Sequence, residues 1–390
     1  MKKTVCRYIT ISMLSLSCVG CSVSKFIPEN QYLLNDFKIE SDNKEVKPSQ
    51  MNIYVRQHPN AKWFSLFKFP MYMYSASGKD STKWVNRFLK RIGEAPVIYS
   101  REAAEESRAE IQKAVQNMGY MGAQVDLKEE TDGNKIKVYY MIRSGEPYIV
   151  DQITYDIFDG KVRDYLETDS TRSQLYPGMR FDVNRLDEER QRITQLLQNR
   201  GYFRFNKDYI VFQADTMLNT YKVGLTMKLQ PFQSKEKNKQ EKHPQYTIRK
   251  VYYLLDADFA TLSRNELKGL DSICSGGVNL YYKDKLFLRP RVLTDYNYLN
   301  TGKLYRNRDV QNTYSALSRL HILKYSNIRF EEIMQNDSTY LDAYISLSKN
   351  KNKSLSFEIE GTNSAGDLGA AASVSYTHRN LCLLYTSPSP

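Results

Sequence analysis

Apolar residues recur along this chain in two rhythms, which predict amphipathic helices and short strands. One face of a first helix has helical spacing and comprises Ala104, Ile111, Val115 and Met118. One face of a second helix has the same spacing and comprises Leu186, Ile193 and Leu197. The helices end at Gly119-Tyr120 and at Gly201-Tyr202, 82 residues apart. We expect each glycine to adopt the left-handed conformation that closes a helix, and each tyrosine to begin a strand.

Period-two alternation after each Gly-Tyr pair predicts two further strands with one apolar face. In the first copy the apolar positions are Ile136, Val138, Tyr140 and Ile142. In the second copy they are Val223, Leu225, Met227 and Leu229. Strands at 37–41 and 149–157 open the two copies. The order strand, helix, helix, strand, strand predicts an α+β module with two helices on one face of a three-stranded sheet.

A third copy is more divergent. It opens with a strand at 246–255 and has a helical face formed by Val310, Tyr314, Leu317 and Leu320. Its closing strands begin at 325–330 and continue through Leu341, Ala343, Ile345 and Leu347. The segment 320–324 replaces the Gly-Tyr pair. Residues 231–245 contain many Lys, Gln, Asn and Glu residues, which predicts a flexible hydrophilic linker before this copy.

Longer segments of alternating apolar and polar residues follow residue 351. Leu355, Phe357 and Ile359 alternate with polar residues, and a second alternating run follows a turn-like segment at 361–366. Such segments are typical of transmembrane β-strands, and equally of a soluble hairpin. Two strands cannot close a barrel, so the transmembrane interpretation predicts that the chain is a fragment. Residues 382–390 break the pattern and are interpreted as an artefactual tail, the alternative being a divergent natural terminus.

The first 20 residues have the pattern of a lipoprotein signal peptide. A basic start precedes an apolar run at 8–19, which is shorter than the roughly 20 residues needed to span a bilayer. The run ends at Gly20-Cys21, which predicts cleavage between these residues and lipid attachment at Cys21. Cys18 is a rival acylation site, and an ordinary cleaved signal is the alternative. Three of the five cysteines lie in this leader or directly after it, which excludes a disulfide framework and a cysteine metal site.

Composition and motifs do not indicate an enzyme. The net charge of +12 comes from scattered Lys and Arg residues without a base-stacking or zinc-finger pattern, which argues against nucleic acid. The four histidines have no partners at metal-binding or catalytic spacing, and no phosphate-binding glycine loop is present. The acidic cluster at 102–106 opens a helix, where negative charge is favourable. Cys274 has no basic neighbour that would activate its thiol. We therefore expect no catalytic residue, no metal and no cofactor.

The stretch 62–74 is aromatic and basic, which is unusual for a loop. It has two interpretations. It is either an insertion that packs onto the first module or a surface that contacts lipid headgroups, where Trp, Tyr and Lys are favoured.

Repeated modules of this order, with a helix ending in Gly-Tyr, resemble POTRA domains, and residues 145–148 and 177–181 resemble the punctuation between them. The stretches 56–60 and 93–99 resemble the first module of TamA-like lipoproteins in the BamA/TamA superfamily. The resemblance covers residues 25–381 approximately. The predicted segments are a signal peptide (1–20), a tether (21–36), module 1 with an insertion (37–146), module 2 (147–230), a linker (231–245), module 3 (246–350), the start of a barrel (351–381) and the tail (382–390).

This resemblance implies a role in assembling outer-membrane β-barrel proteins. The modules would face the periplasm and bind unfolded outer-membrane proteins, and the partners would include a TamB-like inner-membrane-anchored protein and outer-membrane lipid. From the modules themselves, an exposed strand edge predicts binding of extended chains by β-augmentation. One alternative is a lipid-anchored periplasmic scaffold without insertase activity. A secretion pore of the two-partner type is another, against which the three modules and the lipid anchor count.

Overall fold

The computed structural model describes residues 26–62, 68–78, 82–217, 220–232, 241–256, 270–283, 286–336, 338–351, 353–364 and 367–378. The chain divides into two compact units. The first unit comprises Met1–Thr154, Gln174–Asp187 and Gln213–Thr226, and the second comprises Tyr155–Ser173, Glu188–Phe212 and Met227–Pro390.

The described residues form strands and helices in mixed order. The strands are β1 (Leu33–Ser41), β2 (Gln124–Asp132), β3 (Lys135–Arg143), β4 (Ile149–Asp156), β5 (Ile210–Met217), β6 (Lys222–Leu229), β7 (Tyr246–Leu255), β8 (Asp271–Ser275), β9 (Val278–Tyr282), β10 (Leu323–Gln335), β11 (Ser338–Lys349), β12 (Lys353–Ser364) and β13 (Asp367–His378). The helices are α1 (Pro48–Met51), α2 (Phe69–Ala76), α3 (Trp84–Ile92), α4 (Arg101–Asn117), α5 (Gly160–Thr168), α6 (Val183–Gln198), α7 (Pro290–Asp295) and α8 (Asn307–Ser318). The predicted α+β class is confirmed.

The first sheet has the order β1-β3-β2, with β1 parallel and β2 antiparallel to β3. Ser100 caps α4, because its side-chain oxygen accepts a hydrogen bond from the amide of Ala103. The predicted helix face is buried at Ile111 and Val115, which pack against the alternating apolar residues of β3. Strand β1 begins at Leu33, inside the segment predicted as a tether, because Leu33 and Leu34 are both buried.

The described part of the aromatic stretch forms a helix rather than a loop. Residues 63–67 lie outside the described residues, and Phe69–Ala76 form α2. Met71 is buried against Leu33, and the Nζ of Lys68 donates a hydrogen bond to the carbonyl of Asn35 at 2.6 Å. Here the stretch packs onto β1, as the first of its two interpretations predicts.

The second sheet has the order β4-β6-β5. Its helices bury the predicted residues Ile193 and Leu197 against Met227 and Leu229 of β6. Tyr202, which follows the turn at Gly201 after α6, is itself in this core with 1% of its surface exposed. The burial follows the predicted faces, so hydrophobic contact holds the helices on the sheet.

The third sheet differs from the expected three strands. It has five strands in the order β10-β11-β7-β9-β8, because a hairpin of β8 and β9 is added beside β7. The turn of this hairpin is Gly276-Gly277, whose φ angles of 55° and 80° favour glycine. The hairpin and the short helix α7 lie between β7 and α8, where the repeat predicts the first long helix of the module. Cys274 is an exposed free thiol on β8.

The described residues of the predicted linker make specific contacts with other parts of the chain. Residues 233–240 lie outside the described residues, but Phe232 and Glu241 form an isolated β-bridge. His243 is buried among the rings of Phe205, Tyr209 and Phe232. The aromatic contacts of His243 therefore fix the position of a segment whose composition predicts a flexible linker.

Strands β12 and β13 form an antiparallel hairpin with twelve residues in each strand. None of the helices in the described ranges is long and apolar enough to cross a membrane.

Candidate strand-binding edges and module junctions

Each module sheet has two end strands, and in the first sheet these two edges differ. Nearby chain covers the outer side of β1. Leu33 forms a β-bridge with Ile98, and the amide of Leu34 donates to the carbonyl of Val97 at 2.9 Å. Strand β2 is the opposite edge, and it pairs with β3 alone in the described ranges. Its residues 128–132 are exposed, so its outer main chain is accessible to another strand.

The second sheet repeats this asymmetry at the start of β4, and the third sheet has a different pair of end strands. In the second sheet, the amide of Val150 donates to the carbonyl of Met179 at 2.8 Å, so chain outside the sheet bonds the start of the end strand β4, whereas β5 is the opposite end strand. In the third sheet, β9 and β8 extend the sheet beyond β7, so the two end strands are β10 and β8. Among the described residues, the first of the two closing strands is therefore an end strand in all three sheets, and β8 is a further end strand of the third sheet.

Charged residues line the β2 edge. Lys128, Glu129 and Glu130 follow one another there, and the hydroxyl of Tyr99 donates to Glu129 at 2.6 Å. Burial and this carboxylate together raise the pKa of Tyr99 above its ordinary value. Charges on an edge strand also prevent uncontrolled pairing between copies of a protein. Their presence is thus compatible with regulated strand addition and with simple protection of the edge.

The first Gly-Tyr pair lies at a junction between segments of the first unit. Gly119 has a φ of 97°, and its carbonyl accepts a hydrogen bond from the amide of Tyr148 at 2.9 Å. The carbonyl of Tyr148 accepts from the amide of Phe181 at 2.8 Å. A Cβ on Gly119 would lie 2.0 Å from the carbonyl oxygen of Phe181. Only glycine permits this approach, so the residue serves packing as well as helix termination.

Side chains strengthen the same junction. The guanidinium of Arg180 lies over the ring of Tyr120, 5.3 Å from its centroid, and also donates to Glu45. The hydroxyl of Tyr120 donates to Glu45 at 3.1 Å. Tyr120 has 1% of its surface exposed, and a buried ring with a bonded hydroxyl fixes the geometry of the segments around it.

The second Gly-Tyr pair lies at a junction of the same design in the second unit. The carbonyl of Gly201, with a φ of 101°, accepts from the amide of Tyr246 at 2.8 Å. The carbonyl of Tyr246 accepts from the amide of Tyr305, also at 2.8 Å. Tyr246 thus takes the place of Tyr148, and Tyr305 that of Phe181. The main-chain geometry is repeated although the side chains differ.

Four aromatic rings fill this second junction. Phe203 makes edge contacts with Tyr246, Tyr305 and Phe330 at centroid distances of 5.1 to 5.6 Å. Beside them, Arg204 and the hydroxyl of Tyr246 both donate to Glu332, at 2.7 and 2.8 Å. Burial comes first and Glu332 second in raising the pKa of Tyr246. The ring cluster and the ion pair join the segment after α6 to the end strand β10.

Sequence reasoning found the glycines of these junctions but not their partners. The phrase 177–181 was predicted as punctuation, whereas its counterpart at 301–305 was missed. Both phrases have a glycine in second position and an aromatic residue in fifth position, just before a helix. Gly178 and Gly302 both have positive φ, and their amides donate to equivalent carbonyls, those of Val150 and Ile248. The shared spacing of the glycine and the aromatic residue is the signal from which the phrase at 301–305 could have been predicted.

The hairpin of β12 and β13 exposes a row of apolar side chains on one face. The exposed fractions are 57% for Leu355, 70% for Phe357, 87% for Ile359, 66% for Val374 and 62% for Tyr376. The register pairs Leu355 with Tyr376 and Phe357 with Val374, so these residues lie on the same side. An apolar face this large is costly in water and is typical of a surface that meets lipid or protein.

The predicted cleavage and lipid-attachment residues are not among those that the structure describes. Gly20, Cys21 and the rival Cys18 lie outside the described residues. Among the residues that are described, no cluster of His, Cys, Asp and Glu side chains has a geometry suited to a metal ion.

Comparison with known proteins identifies part of the chain. Residues 32–145 match the family model for POTRA, described as a surface antigen variable number repeat. Residues 32–145 are therefore similar to a POTRA repeat, which is the kind of module predicted for this segment. A search of the curated proteins gave no match.

Several solved structures are similar to this chain. BamA POTRA3-5 from Haemophilus influenzae is 13% identical, with coverage of 83% of this chain and 99% of that chain and a TM-score of 0.38. The N-terminal domain of Omp85 from Thermosynechococcus elongatus is 11% identical, with 83% and 100% coverage and a TM-score of 0.24. BamA from Haemophilus ducreyi lacking POTRA domains 1-3 is 14% identical, with a TM-score of 0.36. The match covers 58% of this chain and 34% of that chain.

Proposed function

We propose that this protein assembles β-barrel proteins in the outer membrane, and that its modules bind client strands by β-augmentation. The observation that carries this proposal is that the first closing strand is an end strand in all three sheets. An edge binds an extended chain through main-chain hydrogen bonds, so binding tolerates many client sequences. This suits a protein whose clients are unfolded strands of unrelated sequence. The function requires neither a cofactor nor a catalytic residue.

The terminal hairpin supports an insertase over a simple scaffold. Its outward residues Leu355, Phe357 and Ile359 alternate with polar residues, as in a strand that faces lipid on one side. A scaffold without insertase activity has no need for such a face. We propose that β12 and β13 begin a transmembrane barrel whose first strand templates client strands.

The location follows from the same proposal. The modules would face the periplasm, and acylation at Cys21 would hold them at the membrane, raising their effective concentration near clients. Outer-membrane lipid and a TamB-like inner-membrane-anchored protein would be the other partners. The lipoprotein branch of the superfamily is proposed on the leader sequence and on the stretches 56–60 and 93–99.

Site-specific photo-crosslinking tests the edges directly. A photoreactive amino acid at Thr131, exposed on β2, should crosslink to unfolded outer-membrane proteins in cells. The matched control places it at Glu106, which is exposed on the outer face of α4. Crosslinks to barrel proteins from Thr131 and not from Glu106 support the proposal. Equal yields from the two positions, or an absence of barrel proteins among the products, would contradict it.

A further inference from the structure

Helix α3 has its apolar face turned outward. Trp84, Phe88 and Ile92 recur every four residues, and Val85 lies beside them. Their exposed fractions are 72% for Trp84, 54% for Phe88, 45% for Ile92 and 45% for Val85. Single exposed apolar residues are ordinary on protein surfaces, but four on one side of a nine-residue helix form a continuous patch.

The opposite side of the helix is the one that packs. The amide of Gly78 donates to the Oδ1 of Asn86 at 2.9 Å, and the amide of Glu94 donates to the carbonyl of Pro70 at 3.0 Å. A Cβ on Gly93 would lie 2.5 Å from the backbone nitrogen of Tyr74, so the end of α3 lies directly against α2. These contacts turn the side of the helix that bears Asn86 inward and leave the side with Trp84 and Phe88 in solvent, whereas an ordinary surface helix buries its aromatic residues.

Positive charge borders the apolar face on one side. Lys83, Arg87 and Arg91 are exposed, and residues 82–93 contain no Asp or Glu. On a helical projection Arg87 and Arg91 border the row formed by Trp84 and Phe88. A helix with aromatic residues on one side and cations at its margin has the composition of one that lies in the headgroup region of a membrane. An acidic surface is the electrostatic complement of this set.

We propose that α3 is a second membrane contact of this protein, which lies in the plane of an anionic phospholipid surface with Trp84, Phe88 and Ile92 among the acyl chains. The helix spans about 13 Å at 1.5 Å per residue, so it is short. A helix this short binds weakly alone and orients a module that is already held at the surface. This goes beyond the proposed assembly function, which rests on the strand edges and the hairpin.

The fluorescence of Trp84 itself reports contact of α3 with lipid. The chain has two tryptophans, so Trp63→Phe in the full chain leaves Trp84 as the single emitter. Vesicles of phosphatidylethanolamine and phosphatidylglycerol should shift its emission to shorter wavelength, whereas phosphatidylcholine vesicles should not. Lipids brominated on their acyl chains should remove roughly half of its intensity, because the ring lies at the level of the upper chain.

Variants separate lipid contact from other causes. Arg87→Gln with Arg91→Gln should require roughly tenfold more lipid for the same shift, since each cation near an anionic surface strengthens binding severalfold. Phe88→Ser should abolish the shift, and its melting should be unchanged because the side chain is exposed. Met334→Ser, which removes an 80% exposed apolar residue on β10, is the matched control and should leave the shift intact.

The proposal is overturned if Trp84 keeps its aqueous emission while the chain sediments with the anionic vesicles. That result would assign α3 to a protein partner and would leave the strand-edge function untouched. An undiminished shift in Phe88→Ser would also overturn it.

Discussion

Gly119→Ala tests the close approach at the first junction. A real Cβ does not come within 3.0 Å of such a neighbour, so the carbonyl of Phe181, 2.0 Å from the ideal Cβ position, must move away. The positive φ alone costs an alanine about 1 kcal/mol. Displacing the segment also weakens the hydrogen bonds from Tyr148 to Gly119 and from Phe181 to Tyr148, each with a net contribution of about 1 kcal/mol. We expect a total destabilisation of about 3 kcal/mol.

Two neighbouring glycines separate the contributions to this loss. Gly133 has a φ of 55° and nothing within 4 Å of its Cβ position, so Gly133→Ala should cost about 1 kcal/mol from conformation alone. Gly122 has neither a positive φ nor a close neighbour, so Gly122→Ala should stay within about 0.5 kcal/mol of the parent.

Urea unfolding of the three variants measures these differences through the transition midpoint at constant slope. Hydrogen exchange should also accelerate at the amide of Tyr148 in Gly119→Ala alone. If Gly119→Ala is no less stable than Gly133→Ala, the close contact does not contribute and the reasoning about the junction is refuted.

Three further predictions concern other contacts. Phe203→Ala should lower stability by about 2 kcal/mol in urea unfolding, because it empties the aromatic cluster, and an unchanged midpoint would contradict this. Arg249→Met should cost about 3 kcal/mol, since it leaves the buried carboxylate of Asp342 without its cation, and Arg249→Met with Asp342→Leu should recover most of the loss. Burial lowers the pKa of His243, against the opposing effects of the Gln230 carbonyl and Asp159. As pH falls, the unfolded chain therefore binds the proton before the folded chain does. The contribution of neutral His243 to the free energy of unfolding is fully present above the ordinary pKa of 6.5 and is lost below it, by at most about 1.4 kcal/mol per pH unit. His243→Asn should flatten this pH dependence in melting experiments.

Periodicity predicts the modules well where one face is buried. Ile111 and Ile193 are core residues as the helical spacing requires, and the strand alternation of β3 is repeated in its burial. The hairpin of β8 and β9 was missed because its strands have only five residues each, too few for a clear alternation. Gly276-Gly277 between two short runs was the available signal.

The candidate surfaces were predicted less completely, for two physical reasons. A helical pattern shows that α3 has an apolar side but not that this side faces solvent, because packing against α2 decides which side is buried. Similarly, the composition of 231–245 predicts a linker, whereas His243 is buried by rings that are distant in sequence, such as Phe205. Contacts between distant residues determine both outcomes, and local sequence does not encode them.

Quantitative proteomics of outer-membrane fractions after depletion of the full-length protein tests the central claim most directly. The proposed assembly function predicts that folded β-barrel proteins fall in abundance while periplasmic enzymes stay at their normal level. Re-expression of the parent chain should restore the barrel proteins. Steady barrel proteins, with loss of a periplasmic partner alone, would contradict the claim and favour a scaffold without insertase activity.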